Sequence, residues 1–296
     1  MATKPATTNT SVVSNPVSYN PGAVDIRSAN RPGTPLNFQQ TETSLIIPDK
    51  VTGWEVGKGK VSGHSFIHKF GRNDNIDTNS GFEDIWNGGG IYTGFNATSA
   101  QILDVFSAHA SDTSEGVGAR TIQLYGLDGN YKEINETLTL NGTSTVNTTL
   151  AFCRMHRAIV RSAGESEQNN GDITVRQTTD TANVFGAVPS GYNQTVIAAY
   201  TVPAGKNGLL AGWYGGYSNA AGGVCNLQFV VRPLNEVFQI KEEFTVDSNA
   251  SNYIHRQFLS VPNGPFLEKS DIKIRGDSSA NNQAISAGFD LLLYDA

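Results

Sequence analysis

From about residue 46 onward, apolar residues recur at every second position in short runs, and clusters of Gly, Pro, Asn and Asp separate those runs. A period of two is the signature of a half-buried antiparallel strand, because successive side chains leave opposite faces of a sheet. Ile173 and Val175 flank Thr174, Phe238 and Ile240 flank Gln239, Phe244 and Val246 flank Thr245, and Ile272 and Ile274 flank Lys273. These pairs are expected to face inward. Further strands are expected over 101–107, 120–125, 131–140, 151–161, 195–202, 209–214, 225–231, 255–261 and 284–293. Turns are expected at Leu127-Asp128-Gly129-Asn130, Asn141-Gly142, Asn169-Asn170-Gly171, Pro203-Ala204-Gly205 and Pro262-Asn263-Gly264-Pro265. The only helical reading, over Gly81 to Trp86, is at most one turn. About a dozen strands spaced by roughly 8 to 12 residues predict an all-β chain of the β-sandwich or jelly-roll type. No internal repeat suggests a solenoid or propeller.

Residues 1–45 differ from this pattern. They are rich in Thr, Ser, Asn and Pro and lack apolar periodicity, so they cannot bury enough surface to offset the entropy of ordering. They are expected to form an extended N-terminal arm, either an inert linker or a segment that orders on a neighbouring subunit. Residues 46–296 are expected to form one β-sandwich domain, since no Pro/Ser linker interrupts them, with two packed sub-units as the alternative.

Composition excludes several partners. Charged residues are 16% of the chain and the net charge is −6. Without basic tracts to neutralise phosphates, no specific nucleic-acid partner is expected. No apolar run approaches the roughly 18 residues needed to span a bilayer, and no apolar stretch follows the N-terminal Met1-Ala2-Thr3-Lys4-Pro5. No membrane partner is expected, and synthesis in a cytoplasm is. Without a secretory signal, the Asn-x-Ser/Thr triplets at Asn96, Asn141, Asn147 and Asn193 are assigned no glycans. Cys153 and Cys225 fit neither a C-x-x-C nor a metal-ligand spacing and are read as two buried, reduced thiols, although a pairing between them stays open.

Candidate chemistry is sparse. His64 and His68 are four apart, but on a strand that spacing separates them by about 13 Å, too far to share a zinc ion. The stretch Asn73-Asp74-Asn75-Ile76-Asp77 alternates oxygen ligands as a calcium loop does, with Asp84 in the last position. Thr78 replaces the required Gly, so an Asx-turn loop that satisfies its own backbone is the preferred reading. Trp86-Asn87-Gly88-Gly89-Gly90 lacks the ending of a phosphate loop and reads as a loop anchored by Trp86. Glu83 with Asp84 and Glu242 with Glu243 are adjacent, face opposite ways on a strand, and are read as one exposed and one at a turn or edge. The most basic stretch runs from Arg154 through His156 and Arg157 to Arg161. On a regular strand Arg154 and His156 face one side and Arg157 and Arg161 the other, which suits edge protection or subunit contacts better than an anion site. Trp213-Tyr214-Gly215-Gly216-Tyr217 reads as a core strand entering a loop, with a sugar-stacking surface as the alternative. No catalytic, cofactor or metal-binding residue is assigned.

The stretches Lys69-Phe70-Gly71-Arg72-Asn73, Asp77 and Glu83-Asp84-Ile85-Trp86-Asn87-Gly88-Gly89 resemble a pattern in virion structural proteins of tailed bacteriophages, marine podoviruses in particular. The same proteins look similar at Gly118-Ala119-Arg120-Thr121, Tyr125-Gly126-Leu127-Asp128, Tyr131-Lys132-Glu133, Glu136-Thr137, Leu140-Asn141-Gly142 and Val202-Pro203-Ala204-Gly205-Lys206. The resemblance implies a non-enzymatic virion part such as a capsid decoration (cement) protein, a head fibre or a tail-associated protein. Together with the arm, it leads to the expectation of a homo-oligomer, a trimer as first guess, bound to the major capsid protein lattice. The alternatives are a tail- or fibre-associated module that stacks host-surface glycans on Trp213 to Tyr217, and a carbohydrate-active enzyme with two facing carboxylates.

Overall fold

A computed structural model describes residues 23–26, 36–39, 49–78, 80–218, 222–249, 253–258 and 263–296, with backbone alone up to residue 52. The chain divides into two compact units, Met1–Thr52 and Gly53–Ala296. In the first, β1 (Ala23–Ile26) and β2 (Leu36–Gln39) pair antiparallel, with Ala23 opposite Gln39 and Ile26 opposite Leu36. The expected arm therefore contains a two-stranded pairing, and the rest of residues 1–45 lies outside the described residues.

The helix α1 (Asp49–Gly57) stands where strand periodicity was expected to begin. Gly59, at φ +70°, ends it. Its N–H bonds the Val56 carbonyl at 2.8 Å and the Lys60 N–H bonds the Glu55 carbonyl at 2.9 Å, the paired C-terminal bonds that a left-handed glycine permits. The expected turn of helix at Gly81 to Trp86 is instead the short strand β4 (Glu83–Asp84).

The larger unit is built of antiparallel sheets. One sheet orders β16 (Tyr253–Gln257), β13 (Lys206–Tyr217), β19 (Gln283–Asp295) and β3 (His64–Ile76), with β17 (Asn263–Phe266) also on β13. It packs on a sheet of β12 (Ala199–Thr201), β18 (Asp271–Ser278), β14 (Val224–Arg232) and β15 (Gln239–Asp247), with β4 also on β18. Their shared core includes Trp213, Leu227, Phe229, Ile272, Ile274, Phe289 and Leu291. In β19 the alternation is regular: Ile285, Ala287, Phe289, Leu291 and Leu293 face this core, while Asp290, Leu292 and Tyr294 stay half-exposed.

A second sandwich is carried between β4 and β12. One of its sheets orders β11 (Val184–Val188), β10 (Ile173–Gln177), β5 (Leu103–Ser107) and β8 (Val146–Asn147). The other orders β7 (Glu133–Thr139), β6 (Ala119–Leu127) and β9 (Arg154–Ala163). They enclose a separate core that includes Leu103, Val105, Ile122, Leu124, Phe152, Ile173, Val175 and Phe185. Where the chain leaves the first sandwich and returns to it, a third cluster of Trp86, Tyr92, Phe95, Ile197 and Ala199 fills the joint. Edge-on ring contacts of 5.2 Å (Trp86 to Tyr92) and 5.0 Å (Tyr92 to Phe95) fix this joint without a linker.

Several expectations are corrected by local irregularities. In β15 the register slips opposite Phe229 and Val230, leaving Lys241 as the extra residue. The slip turns Val246 into the core but leaves Ile240 52% exposed, so Phe238 and Ile240 do not form an inward pair. Ile272 and Ile274 face inward as expected, and Lys273 between them is buried as well, because the joint covers the outer face of β18. The turn expected at Pro262–Pro265 contributes strand β17, and Tyr131, at φ 61°, belongs to the turn before β7. The Asp128 and Pro203 turns form as expected, closed by Tyr131 N–H to Asp128 O at 2.9 Å and by Lys206 N–H to Pro203 O at 3.2 Å. Among the described residues no helix is long and apolar enough to cross a membrane.

Candidate functional site

The polar chemistry of the larger unit gathers at the junction of the two sandwiches. Asp271 on β18 is its centre. Its carboxylate accepts from Arg154 on β9 through Nε at 2.8 Å and Nη2 at 3.1 Å, from Arg232 on β14 through Nη2 at 2.6 Å, and from the Thr201 hydroxyl at 2.6 Å. Arg154 Nη1 also donates to the Ala97 and Cys153 carbonyls, and Arg232 Nη2 to the Phe95 carbonyl. One carboxylate thus clamps strands from both sandwiches through charge-assisted bonds. Arg154 is 5% exposed, which corrects its assignment to edge protection or a subunit contact.

A second buried pair lies beside it. Asp84 Oδ2 accepts from Lys273 Nζ at 2.8 Å and from the Tyr92 N–H at 2.7 Å. Burial pushes the Asp84 carboxyl above the usual range, against the pull of Lys273. Glu83 is buried too, accepting from the Gly90 N–H at 3.1 Å and the Asp77 N–H at 3.2 Å. Neither member of this carboxylate pair is exposed, contrary to expectation, because each is used to hold loop backbone. Asn73 to Ile76, read as part of an Asx-turn loop, forms the end of β3, although Asn73 Oδ1 does accept the Asn75 N–H as an Asx turn would.

The junction also contains a cleft of about 480 Å³ between β3 and the outer face of the β7-β6-β9 sheet. Phe66, His68, Lys69 and Phe70 of β3 line one side, and Tyr125, Glu133, His156, Arg157, Ile159 and Arg161 line the other, with Thr195 and Tyr200 at the junction. A bulge builds this wall. Tyr125 pairs with Arg157 and Gly126 with Met155, so His156 is an extra residue in β9. Arg157 and Ile159 then share one face by ordinary alternation, the bulge brings His156 into the same cleft, and Arg161, the extra residue of a second bulge opposite Thr121 and Ile122, lines it too. The expectation that His156 and Arg157 point to opposite sides fails for this reason.

Lys69 is 8% exposed, and its ammonium donates to the His156 carbonyl. Burial, helped by Arg157, lowers its pKa to about 7. The His156 ring packs on Tyr200 with centroids 4.2 Å apart, and burial followed by the Lys69 charge lowers its pKa to about 3. Neither His156 Nε2 nor the Tyr200 hydroxyl has a hydrogen-bond partner. Tyr200 was not singled out from the sequence, and Lys69 entered only through the resemblance. The one available signal was a lysine inside the apolar run Phe66-Ile67-His68-Lys69-Phe70.

The remaining candidates are dispersed. His68 Nδ1 lies 2.7 Å from Asp290 Oδ1 and His64 Nδ1 lies 2.9 Å from the Ser62 carbonyl. Among the described residues no three His, Cys, Asp or Glu side chains are grouped to hold a metal ion. Trp86 anchors the glycine loop, its indole N–H bonding the Gly90 carbonyl at 3.2 Å. Glu242 takes Arg256 at 2.7 Å, whereas Glu243 takes Gln228. Trp213 is fully buried against Phe244, 4.0 Å between centroids, which removes it from any sugar-stacking surface. Cys153 and Cys225 are free and buried, and burial raises their thiol pKa values to about 11 and about 12.

No family model matches this chain, and no curated protein matches it. Among solved structures it is similar to the VP2 subviral particle of infectious bursal disease virus, with a TM-score of 0.21 and 10% identity over 79% of this chain and 72% of that one. It is also similar to the structure of the Gt strain of that virus, with a TM-score of 0.20 and 9% identity over 79% and 73%. TM-scores of this size do not define a common arrangement of strands.

Proposed function

We propose that the protein is a non-enzymatic structural component of a virion, a capsid decoration or cement protein that binds the major capsid lattice as a homo-oligomer, with a trimer as first guess. The observation that carries this reading is the clamp at Asp271. Buried charge at the junction is spent on locking two sandwiches into one rigid body rather than on presenting reactive groups. The sequence resemblance to tailed-phage virion proteins supports the same reading. So do the exposed apolar side chains of Leu234, Val237 and Ile240 beside β15, which offer contact area for a neighbour. The chain would be made in the host cytoplasm and end in the particle.

The N-terminal segment is the proposed attachment device, since an extended segment adds contact area without enlarging a core. Deleting residues 1–45 is expected to lower occupancy on particles while the strand-rich circular dichroism of the remainder is kept. Full occupancy on particles carrying the deletion would reject this role. The alternative, a tail- or fibre-associated module that binds host-surface glycans, needs a site other than Trp213. An enzyme acting on glycosidic bonds would need two facing carboxylates, and among the described residues Glu133 is the one carboxylate lining the cleft.

A further inference from the structure

The cleft between β3 and the β7-β6-β9 sheet has the volume of a small-molecule site, about 480 Å³, and its charges are unbalanced. Arg157 donates to the Gln194 side-chain oxygen at 2.8 Å. Arg161 donates to the Gln123 side-chain oxygen at 2.7 Å and to the Tyr125 hydroxyl. Among the described residues neither guanidinium has a carboxylate within ion-pair distance. Tyr125 pairs with Arg157 across the sheet, so Arg161, in reaching the Tyr125 hydroxyl, turns back toward Arg157. Lys69 is held by a carbonyl alone, and His68 is engaged by Asp290. Among the described residues lining the cleft, Glu133 is left as the only acid facing two arginines and a lysine, in a protein whose net charge is −6.

The rest of the lining limits what the anion can be. Phe66, Phe70 and Ile159 present apolar surface that a bare phosphate or acetate would leave against water, so the ligand carries a carbon-rich body. Thr195 and the Glu133 carboxylate supply hydrogen-bonding groups along the lining, and the unpartnered polar atoms of His156 and Tyr200 are buried within the same wall. His156 and Tyr200 are each more than nine-tenths buried. A body with hydroxyls on several sides and one anionic group answers all of these features. We propose that the cleft binds an acidic sugar, a pyranose bearing a carboxylate or sulfate, with the anion at Arg157 and Arg161 and the ring toward Phe66 and Phe70. This site goes beyond the capsid role and does not depend on where in a particle the protein sits.

Saturation-transfer NMR on the full chain tests it with glucuronate, N-acetylneuraminate, neutral glucose, acetate and inorganic phosphate as separate probes. At least one acidic sugar is expected to receive saturation, while glucose does not and neither phosphate nor acetate displaces the bound sugar at equal concentration. Arg157→Gln and Arg161→Gln are each expected to weaken sugar binding by at least about tenfold, the worth of a charged hydrogen bond. Thermal melts check that both variants fold. If Arg157→Gln does not, the more exposed Arg161 carries the test alone. Equal transfer to glucose, binding unchanged in Arg161→Gln, displacement by phosphate or acetate, or no transfer to either acidic sugar would each overturn the proposal.

Discussion

Asp271 is the residue on which most of the junction's charge depends. Two guanidinium groups and a hydroxyl converge on its two oxygens in a site where the carboxylate is 4% exposed. Asp271→Asn keeps the shape and removes the charge, leaving Arg154 and Arg232 without a counter-ion in low dielectric. The expected cost is about 3–5 kcal/mol, the range for breaking one partner of a buried ion pair, measured by urea unfolding. A loss within about 0.5 kcal/mol, the level of an ordinary surface substitution, would show that the clamp is not structural. Lys69 makes a prediction of a different kind. Its folded pKa of about 7 lies below the ordinary 10.5, so between these values the unfolded chain binds more protons than the folded one. Lys69 therefore costs stability below about pH 7, and the cost fades as pH rises toward 10.5. Lys69→Met removes the ionisable group, so its stability relative to wild type is expected to be greatest near about pH 6 and to decline steadily toward about pH 10. A difference that stays constant over that range would contradict the burial of an uncompensated ammonium.

Among the elements, β3 is tightly constrained at one glycine. At Gly71 a Cβ would stand 2.0 Å from the Ile85 carbonyl oxygen and 2.4 Å from the Ala198 amide nitrogen, so the strand can pass beneath this backbone only without a side chain. Gly71→Ala is expected to destabilise by at least about 1–3 kcal/mol through overpacking. Gly89→Ala, where the added atom meets open space at φ +72°, should cost about 1–2 kcal/mol from backbone strain alone. Thermal melts of the two variants decide the order, and Gly89→Ala proving the worse would reverse the argument. The elements also show what sequence patterning can carry. The alternation in β19 and β10 was legible because those strands each cover one core with few irregularities. The outward turn of Ile240 and the shared cleft of His156 with Arg157 were not, because the extra residues Lys241 in β15 and His156 in β9 reverse the parity that period-two reasoning relies on. The helix α1 escaped notice because Gly53, Gly57, Thr52 and Val56 are weak helix formers and its visible stop, Gly59, looks like any turn glycine. The candidate site was legible only as a basic stretch. Asp271 pairs with Arg154 across 117 positions, and the Lys69 cleft exists only because a sheet of the second sandwich faces the edge of the first. No local pattern encodes either.

At the scale of the larger unit, two antiparallel sandwiches share a joint of aromatic rings and buried ion pairs, and the exposed apolar side chains of Leu234, Val237 and Ile240 lie beside β15. Rigidity of this sort suits a part whose work is to hold a fixed shape against its neighbours. The all-β architecture was readable from patterning and turn residues together. The carrying of one sandwich between two strands of the other was not, since the aromatic joint of Trp86, Tyr92 and Phe95 with Ile197 replaces the linker that would have marked it. The central claim is that this chain is a structural part of a virion shell, and cryo-electron microscopy of the intact particle tests it most directly. The account predicts density for two stacked β-sandwiches repeated over the capsid lattice, in contact with the major capsid protein. Particles whose density is fully explained without this chain, at the lattice and at the tail vertex alike, would contradict it.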